Sequence, residues 1–196
     1  MHEVELLNPK LAAQRVLEQI IAESGGAMTW TGIVVGPWYD WAIEKGVFWF
    51  DREKKVITRY GSGEQRISVS RQALAGEALV AVLKEPARFQ NRAAYFASHL
   101  VTTNQLIGLV KELGLKSWTV KDVPMDEFAA EARRLWAQDT AAGVENRLAT
   151  KAFPMMATVT LLNEGNRYGA NFGDKVEKGW DEGEDALREA LKRMLS

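Results

Sequence analysis

The chain has 196 residues, 46% of them hydrophobic and 26% charged, with a net charge of −1. That is apolar material for one globular domain, taken here as residues 1–196, and its charge balance favours neither nucleic acid nor an anionic membrane as a partner. Cysteine is absent, which excludes disulfides, thiolate chemistry and cysteine-ligated metals. The opening Met-His-Glu-Val-Glu-Leu-Leu has neither a basic region nor a long apolar run, and no stretch reaches bilayer length. A soluble cytoplasmic protein is therefore expected.

Along the chain, Asn8 and Pro9 suit the start of a helix over 8–22, with Val16, Leu17, Ile20 and Ile21 as an apolar stripe. Ser24-Gly25-Gly26 ends it. Residues 29–35 are β-rich and continuously apolar, as expected of a strand covered on both faces, and Gly36-Pro37 breaks them. Residues 47–50 and 56–60 read as a hairpin, followed by a turn at Gly61-Ser62-Gly63. A short alternating segment spans 67–70, after which Ser70 is placed to cap a helix over 71–84. A strand is expected over 92–98. Thr103 caps the next helix, carrying Leu106, Val110 and Leu113, and Gly114 stops it. Another strand covers 118–123. Asp126 then opens a helix with Phe128, Ala132, Leu135 and Trp136 in register. The apolar region 145–162 is interrupted by Pro154, and Asp181 with Glu184 reads as a cap pair before Leu187, Leu191, Met194 and Leu195. Strands alternating with helices indicate an α/β domain.

Several runs, in order, resemble the C-terminal half of the fungal NmrA-like and isoflavone-reductase-like proteins, atypical short-chain dehydrogenases. They are Asn8-Pro-Lys-Leu-Ala-Ala-Gln-Arg-Val-Leu17, Trp30-Thr-Gly-Ile-Val-Val-Gly-Pro-Trp-Tyr-Asp-Trp41, Gly46-Val-Phe-Trp-Phe-Asp51, Gly61-Ser-Gly63, Ser68-Val-Ser70, Asn91-Arg92 and Thr102-Thr-Asn-Gln-Leu106. The likeness covers residues 6–135. It implies a truncated NmrA-like, Rossmann-derived α/β fold, with a small mixed sheet and flanking helices. In that family a Rossmann half binds NADP(H), and the C-terminal part closes over a small organic substrate. A dinucleotide site needs glycines where backbone approaches the pyrophosphate. Here no G-x-G-x-x-G occurs, and residues Glu64, Gln65 and Arg66 follow Gly61-Ser62-Gly63. Nor is there a Tyr-x-x-x-Lys pair: the fourth residues after Tyr39, Tyr60, Tyr95 and Tyr168 are Ile43, Glu64, His99 and Phe172. The chain thus reads as the back half of a reductase without its front half. No cofactor and no metal site are expected. The bare edge of a shortened sheet must be covered, which predicts a homodimer or a rearranged compact monomer.

Four residues are candidates for chemistry. Lys10 sits where the resembled family carries a functional lysine; without a cofactor it is an acid, a carbonyl-polarising cation, or simply a solvated side chain. Asp40, in the aromatic run Trp38-Tyr39-Asp40-Trp41, is either a general acid or base with a raised pKa, or a turn aspartate bonding nearby backbone. Tyr39 offers a phenol to a substrate carbonyl, or packs as a ring. His99 follows a strand end, where doubly wound folds place ligands, and is suited to proton transfer; a structural histidine is the other reading. Of the seven tryptophans, Trp38, Trp41 and Trp49, with Phe48, are the expected substrate contacts, unless they are core. The reading favoured is a cofactor-independent enzyme that binds an apolar metabolite in an aromatic pocket. It would catalyse a redox-neutral cyclisation (cycloaddition included) or isomerisation in specialised metabolism. The alternatives are a reductase completed by a separate Rossmann subunit and a non-catalytic binding module.

Overall fold

A computed structural model describes residues 8–196, with side chains from residue 12. Helix α1 (Asn8–Glu23) forms where the spacing predicts, and Gly25 and Gly26, both at positive φ, end it. Its apolar stripe is left uncovered: Val16 is 57% and Ile20 46% exposed.

Strand β1 (Thr31–Val35) pairs in parallel with β5 (Arg92–Phe96), from Thr31 opposite Arg92 to Val35 opposite Phe96. Helix α3 (Leu74–Lys84) covers one face, where Leu74, Ala78 and Val82 pack with Phe89, Ala94 and Phe96, and Ile33 and Val35 lean on that cluster. The expectation of a strand covered on both faces is not met, because every residue of β1 is only half-buried. The far edge of β5 is covered by the segment around Val176, which bridges to Tyr95 and sends the Glu177 N–H to the Tyr95 carbonyl.

Beyond β1 the aromatic run 38–41 leads into a short helix. Trp38 bridges to Ser70, and α2 (Tyr39–Lys45) follows, closed by Gly46 in the left-handed region. The hairpin β2 (Phe50–Asp51) and β3 (Val56–Tyr60) forms as predicted, and β3 pairs in parallel with β7 (Thr119–Val123). Strand β4 (Ile67–Val69) runs antiparallel to β6 (His99–Val101). The predicted strand over 92–98 is therefore split: β5 ends at Phe96, and the chain turns through Ala97 and Ser98 into β6. Small sheets flanked by helices are what was expected, but they number three rather than one among the described residues, and only β2-β3-β7 is mixed.

Two cap assignments move. Ser70 does not cap α3, which starts at Leu74 after Ala73; its Oγ donates instead to the Phe96 carbonyl, while its backbone joins Pro37 and Tyr39. Helix α5 (Thr103–Glu112) is capped by Thr102, in a reciprocal box with Gln105. Helix α4 (Pro86–Phe89) is a single turn. Helix α6 (Met125–Ala141) packs on α7 (Ala152–Leu162), and Pro154 falls in the first turn of α7, where no helical partner exists for an N–H. Helix α8 (Gly183–Leu195) closes the larger core with Leu187, Leu191 and Leu195. Among the described residues no helix is long and apolar enough to cross a membrane.

Candidate functional site

The carboxyl ends of β1 and β5 run into Gly36-Pro37 and Ala97-Ser98, and there the start of α8 meets β6. Backbone carries the junction: the Ser98 N–H donates to the Val69 carbonyl, and the Glu182 N–H donates to the Ser98 carbonyl. His99, the first residue of β6, is 5% exposed at this point. It walls two cavities, of about 320 and 240 Å³, that also share Leu100 and Asp181. The first lies between β6, α5 and α8, with Leu100, Val101, Leu109 and Leu187 as its apolar wall and Glu112, Asp181 and Glu184 as its acids. The second lies under the segment from Gly173 to Asp181.

The imidazole stands edge-on to Tyr39, with ring centroids 5.6 Å apart. The Gly183 backbone lies beside it, while Nε2 has no hydrogen-bond partner, is closed off from solvent and lies 4.0 Å from Glu182 Oε2. Burial lowers the His99 pKa below 6.5, and Arg71 adds to this; Glu182, Asp181 and the Gly183 backbone pull the other way. The ring is therefore neutral at neutral pH. Glu182 itself is held: its Oε1 accepts from Arg71 Nε at 2.7 Å and from Ser98 Oγ at 3.0 Å. Arg71 also grips both oxygens of Glu77, at 2.7 and 2.6 Å. One guanidinium thus ties the entry to α3 to the entry to α8, with His99 beside it.

A pH dependence follows. The unfolded imidazole titrates near its ordinary 6.5 and the folded one below it, so the unfolded chain binds the extra proton first. Stability is then full above about 6.5 and is lost as the pH falls from there towards the folded pKa. Thermal unfolding between pH 7.5 and 5 is expected to show a falling midpoint in the natural chain and a flatter profile in His99→Gln; identical slopes would contradict it.

The other candidates part company with His99. Lys10 lies in α1, and its side chain is outside the described residues, as is all of His2. Asp40 does what a turn aspartate does: Oδ1 accepts from the Trp41 N–H at 2.9 Å, and both carboxylate oxygens accept from the Gln72 N–H at 3.0 Å. It walls neither cavity at His99. Tyr39 is 6% exposed, and burial, with Glu182 and Asp40 nearby, pushes its phenol up to about 12. It supports the His99 ring from the core side, where it shares a pinched apolar void of about 10 Å³ with Trp49, Phe50 and Leu191.

The aromatic pocket does not assemble. Trp38, the residue before α2, and Trp41, in its first turn, are each 38% exposed. Trp49 is buried, and half-buried Phe48 packs edge-on against it at 5.7 Å between centroids. The four are neighbours in sequence only: the turn into α2 sends one pair outward, and Gly46 sends the other into the core. Arg71, Ser98, Asp181 and Glu182 were missed. The Asp181-Glu182 pair reads as a solvated helix start, and nothing local shows that it closes onto a residue 111 positions earlier.

No protein-family model matches the sequence, and no curated protein does. Among solved structures, the chain is similar to a nucleoside-diphosphate-sugar epimerase from Staphylococcus aureus, with a TM-score of 0.51 at 12% identity. The superposition takes in 100% of this chain. The two share a fold. In this chain it is an α/β arrangement of small sheets and flanking helices. This chain spans 61% of the epimerase chain's length.

Proposed function

We propose that the chain is an NmrA-like substrate domain that binds a small metabolite in the cleft beside His99 and moves a proton on it, a redox-neutral isomerisation or cyclisation. The observation that carries this reading is the neutral, buried imidazole on the wall of both cavities; its Nε2, unpartnered and beside Glu182, is closed off from solvent in this structure. An imidazole that is unprotonated at neutral pH and backed by a packed tyrosine ring is suited to taking a proton from carbon next to a carbonyl and returning it at a second position, once substrate entry uncovers Nε2. Such a step consumes no oxidant. The cleft's apolar wall suits the substrate's body, in place of the aromatic pocket expected from the sequence. The lack of a G-x-G-x-x-G in the chain keeps hydride transfer second.

Deuterium incorporation tests it. A panel of small ketones and aldehydes incubated in D₂O without nucleotide is expected to gain deuterium beside the carbonyl with the natural chain and not with His99→Gln, by mass spectrometry. Incorporation that is equal in both proteins sinks the assignment. Consumption of NADPH by the isolated chain would return it to the reductases.

A second reading, about partners, has its own observations. The α1 stripe is exposed, Leu79, Val80 and Leu83 are exposed on α3, and β1 has one strand neighbour among the described residues. We propose that a second copy covers the α1 stripe and the open edge of β1, giving a homodimer. Sedimentation is expected to show a dimer that Ile20→Glu converts to monomer. A dilute monomer that dimerises only with a nucleotide-binding subunit would favour the reductase assembly.

A further inference from the structure

We infer that a separate cavity, between α5 and the β3–β7 pair, binds a small carboxylate with an apolar body, held by Lys111 and Lys116. The cavity measures about 340 Å³, a size that suits a small molecule. Its wall is apolar: Ile57 from β3, Val120 from β7, Ile107 and Val110 from α5, and Leu115 and Trp118 from the turn between α5 and β7. Ile57, Ile107 and Val110 are buried. Trp118 is half-buried and stands edge-on to Phe50, with ring centroids 5.7 Å apart. Val120 is 39% exposed, on a strand with one neighbour among the described residues. An apolar ligand body in this cavity removes that surface from water.

Helix α5 divides this cavity from the His99 cleft. Gln105, Gly108, Leu109 and Glu112 face the cleft, while Ile107, Val110 and Lys111 face the new cavity. Gly114, at φ 72°, turns the chain back after α5: its N–H donates to the Lys111 carbonyl, and the Leu115 N–H donates to the Val110 carbonyl. That turn brings Lys116 to the cavity that Lys111 lines. The two lysines are the only charged residues in the wall among the described residues, and neither forms an ion pair or a side-chain hydrogen bond there. The acids that flank the wall in sequence are already engaged. Glu112 points to the far side of α5, where Arg188 holds it at 2.7 Å, and Asp122, two residues beyond Val120 on β7, is held by Arg59 at 2.6 Å. A cationic ligand would meet two like charges, and a neutral one would leave both unanswered. A bare inorganic anion would leave the six apolar side chains uncovered. A carboxylate on an apolar body satisfies both parts of the site.

Three probes of one chain length decide it: octanoate, octanol and octylammonium, titrated into the full chain while the Trp118 indole resonance, assigned with Trp118→Phe, is followed by NMR. Octanoate is expected to shift it saturably and to bind about tenfold tighter than either of the others. Lys111→Gln combined with Lys116→Gln is expected to bring octanoate down to the affinity of octanol, with an unchanged circular dichroism spectrum. Should that double variant not fold, Val120→Glu places a carboxylate of the chain's own in the wall and is expected to abolish the octanoate preference; a preference that survives it overturns the inference. Equal binding of the three probes, or a preference that survives the loss of both lysines, also overturns it. So do shifts at His99 with none at Trp118, and so does the absence of any response. None of these outcomes decides the proton-transfer reading, which deuterium exchange tests at the other cavity.

Discussion

Gly36→Ala is expected to be the most damaging single methyl in the molecule. A Cβ at this position would lie 2.0 Å from the Ser68 carbonyl oxygen, 2.7 Å from its carbon and 2.9 Å from the Val69 Cα. All three are backbone atoms of β4, so no side chain can swing aside. Relief requires β1 to part from β4, which breaks the Trp38 bridge to Ser70 and the bonds from the Ser70 N–H to the Pro37 carbonyl and from the Tyr39 N–H to the Ser70 carbonyl. Overpacking against rigid structure costs about 3 kcal/mol or more. In a domain of this size that lowers the melting temperature by roughly 10 °C, measurable by calorimetry. Gly76→Ala is the control. It sits in α3 with nothing within 4 Å of the place its methyl would take, so it is expected to gain roughly 0.5–1 kcal/mol from helix propensity. A melting temperature for Gly36→Ala within a degree of the natural chain would contradict the close approach.

The tryptophans give the second large effect, and its contrast matters as much as its size. Trp49 is 1% exposed in the core, and its removal to alanine is expected to cost about 3–5 kcal/mol in urea unfolding. Trp38→Ala and Trp41→Ala, each partly exposed at the start of α2, are expected to cost under about 1 kcal/mol each. Trp49→Phe separates packing from polarity. The Trp49 Nε1 is buried without a partner, and a stranded donor costs about 1–3 kcal/mol. Phenylalanine gives up area but also gives up that penalty, so it is expected to fall close to the natural chain. Equal losses for Trp38 and Trp49 would mean that the four aromatics do share one environment.

What the sequence made legible was whatever is decided locally. The 3.6-residue period over α1 and α8, the hairpin at β2 and β3, and the α/β alternation all follow from side chains within a turn or two of each other. The Thr102–Gln105 box was displaced by one residue, because two threonines stand side by side and only the backbone decides which caps. The expected sites divided along the same line. The position of His99 beside a strand end was legible because it is a statement about one residue; its role is a proposal. Of the two readings of Asp40, its bonds match the turn aspartate, and the Gln72 N–H that takes part lies 32 residues away, where no local pattern shows it. The Trp38-to-Trp49 pocket was a claim about convergence, which adjacency in sequence cannot supply. Asp181 and Glu182 acquire their roles only when α8 lies across β6, and no local pattern announces that packing.

The Arg71–Ser98–Glu182 tie also sets an order of events. Its three members are spread over 111 positions of the chain, and the cleft takes one wall from residues 99–112 and another from 181–187. Closing such separations is slow, because the entropy of the intervening chain is lost before any contact returns it. A growing polypeptide would therefore have its sheets in place while the cleft was still open on one side. The cleft becomes a cleft only when the final helix docks. A nick between Asn163 and Glu182 would leave most of the hydrogen-bonded strands intact and free that helix to leave, so the cleft would be lost long before secondary structure was.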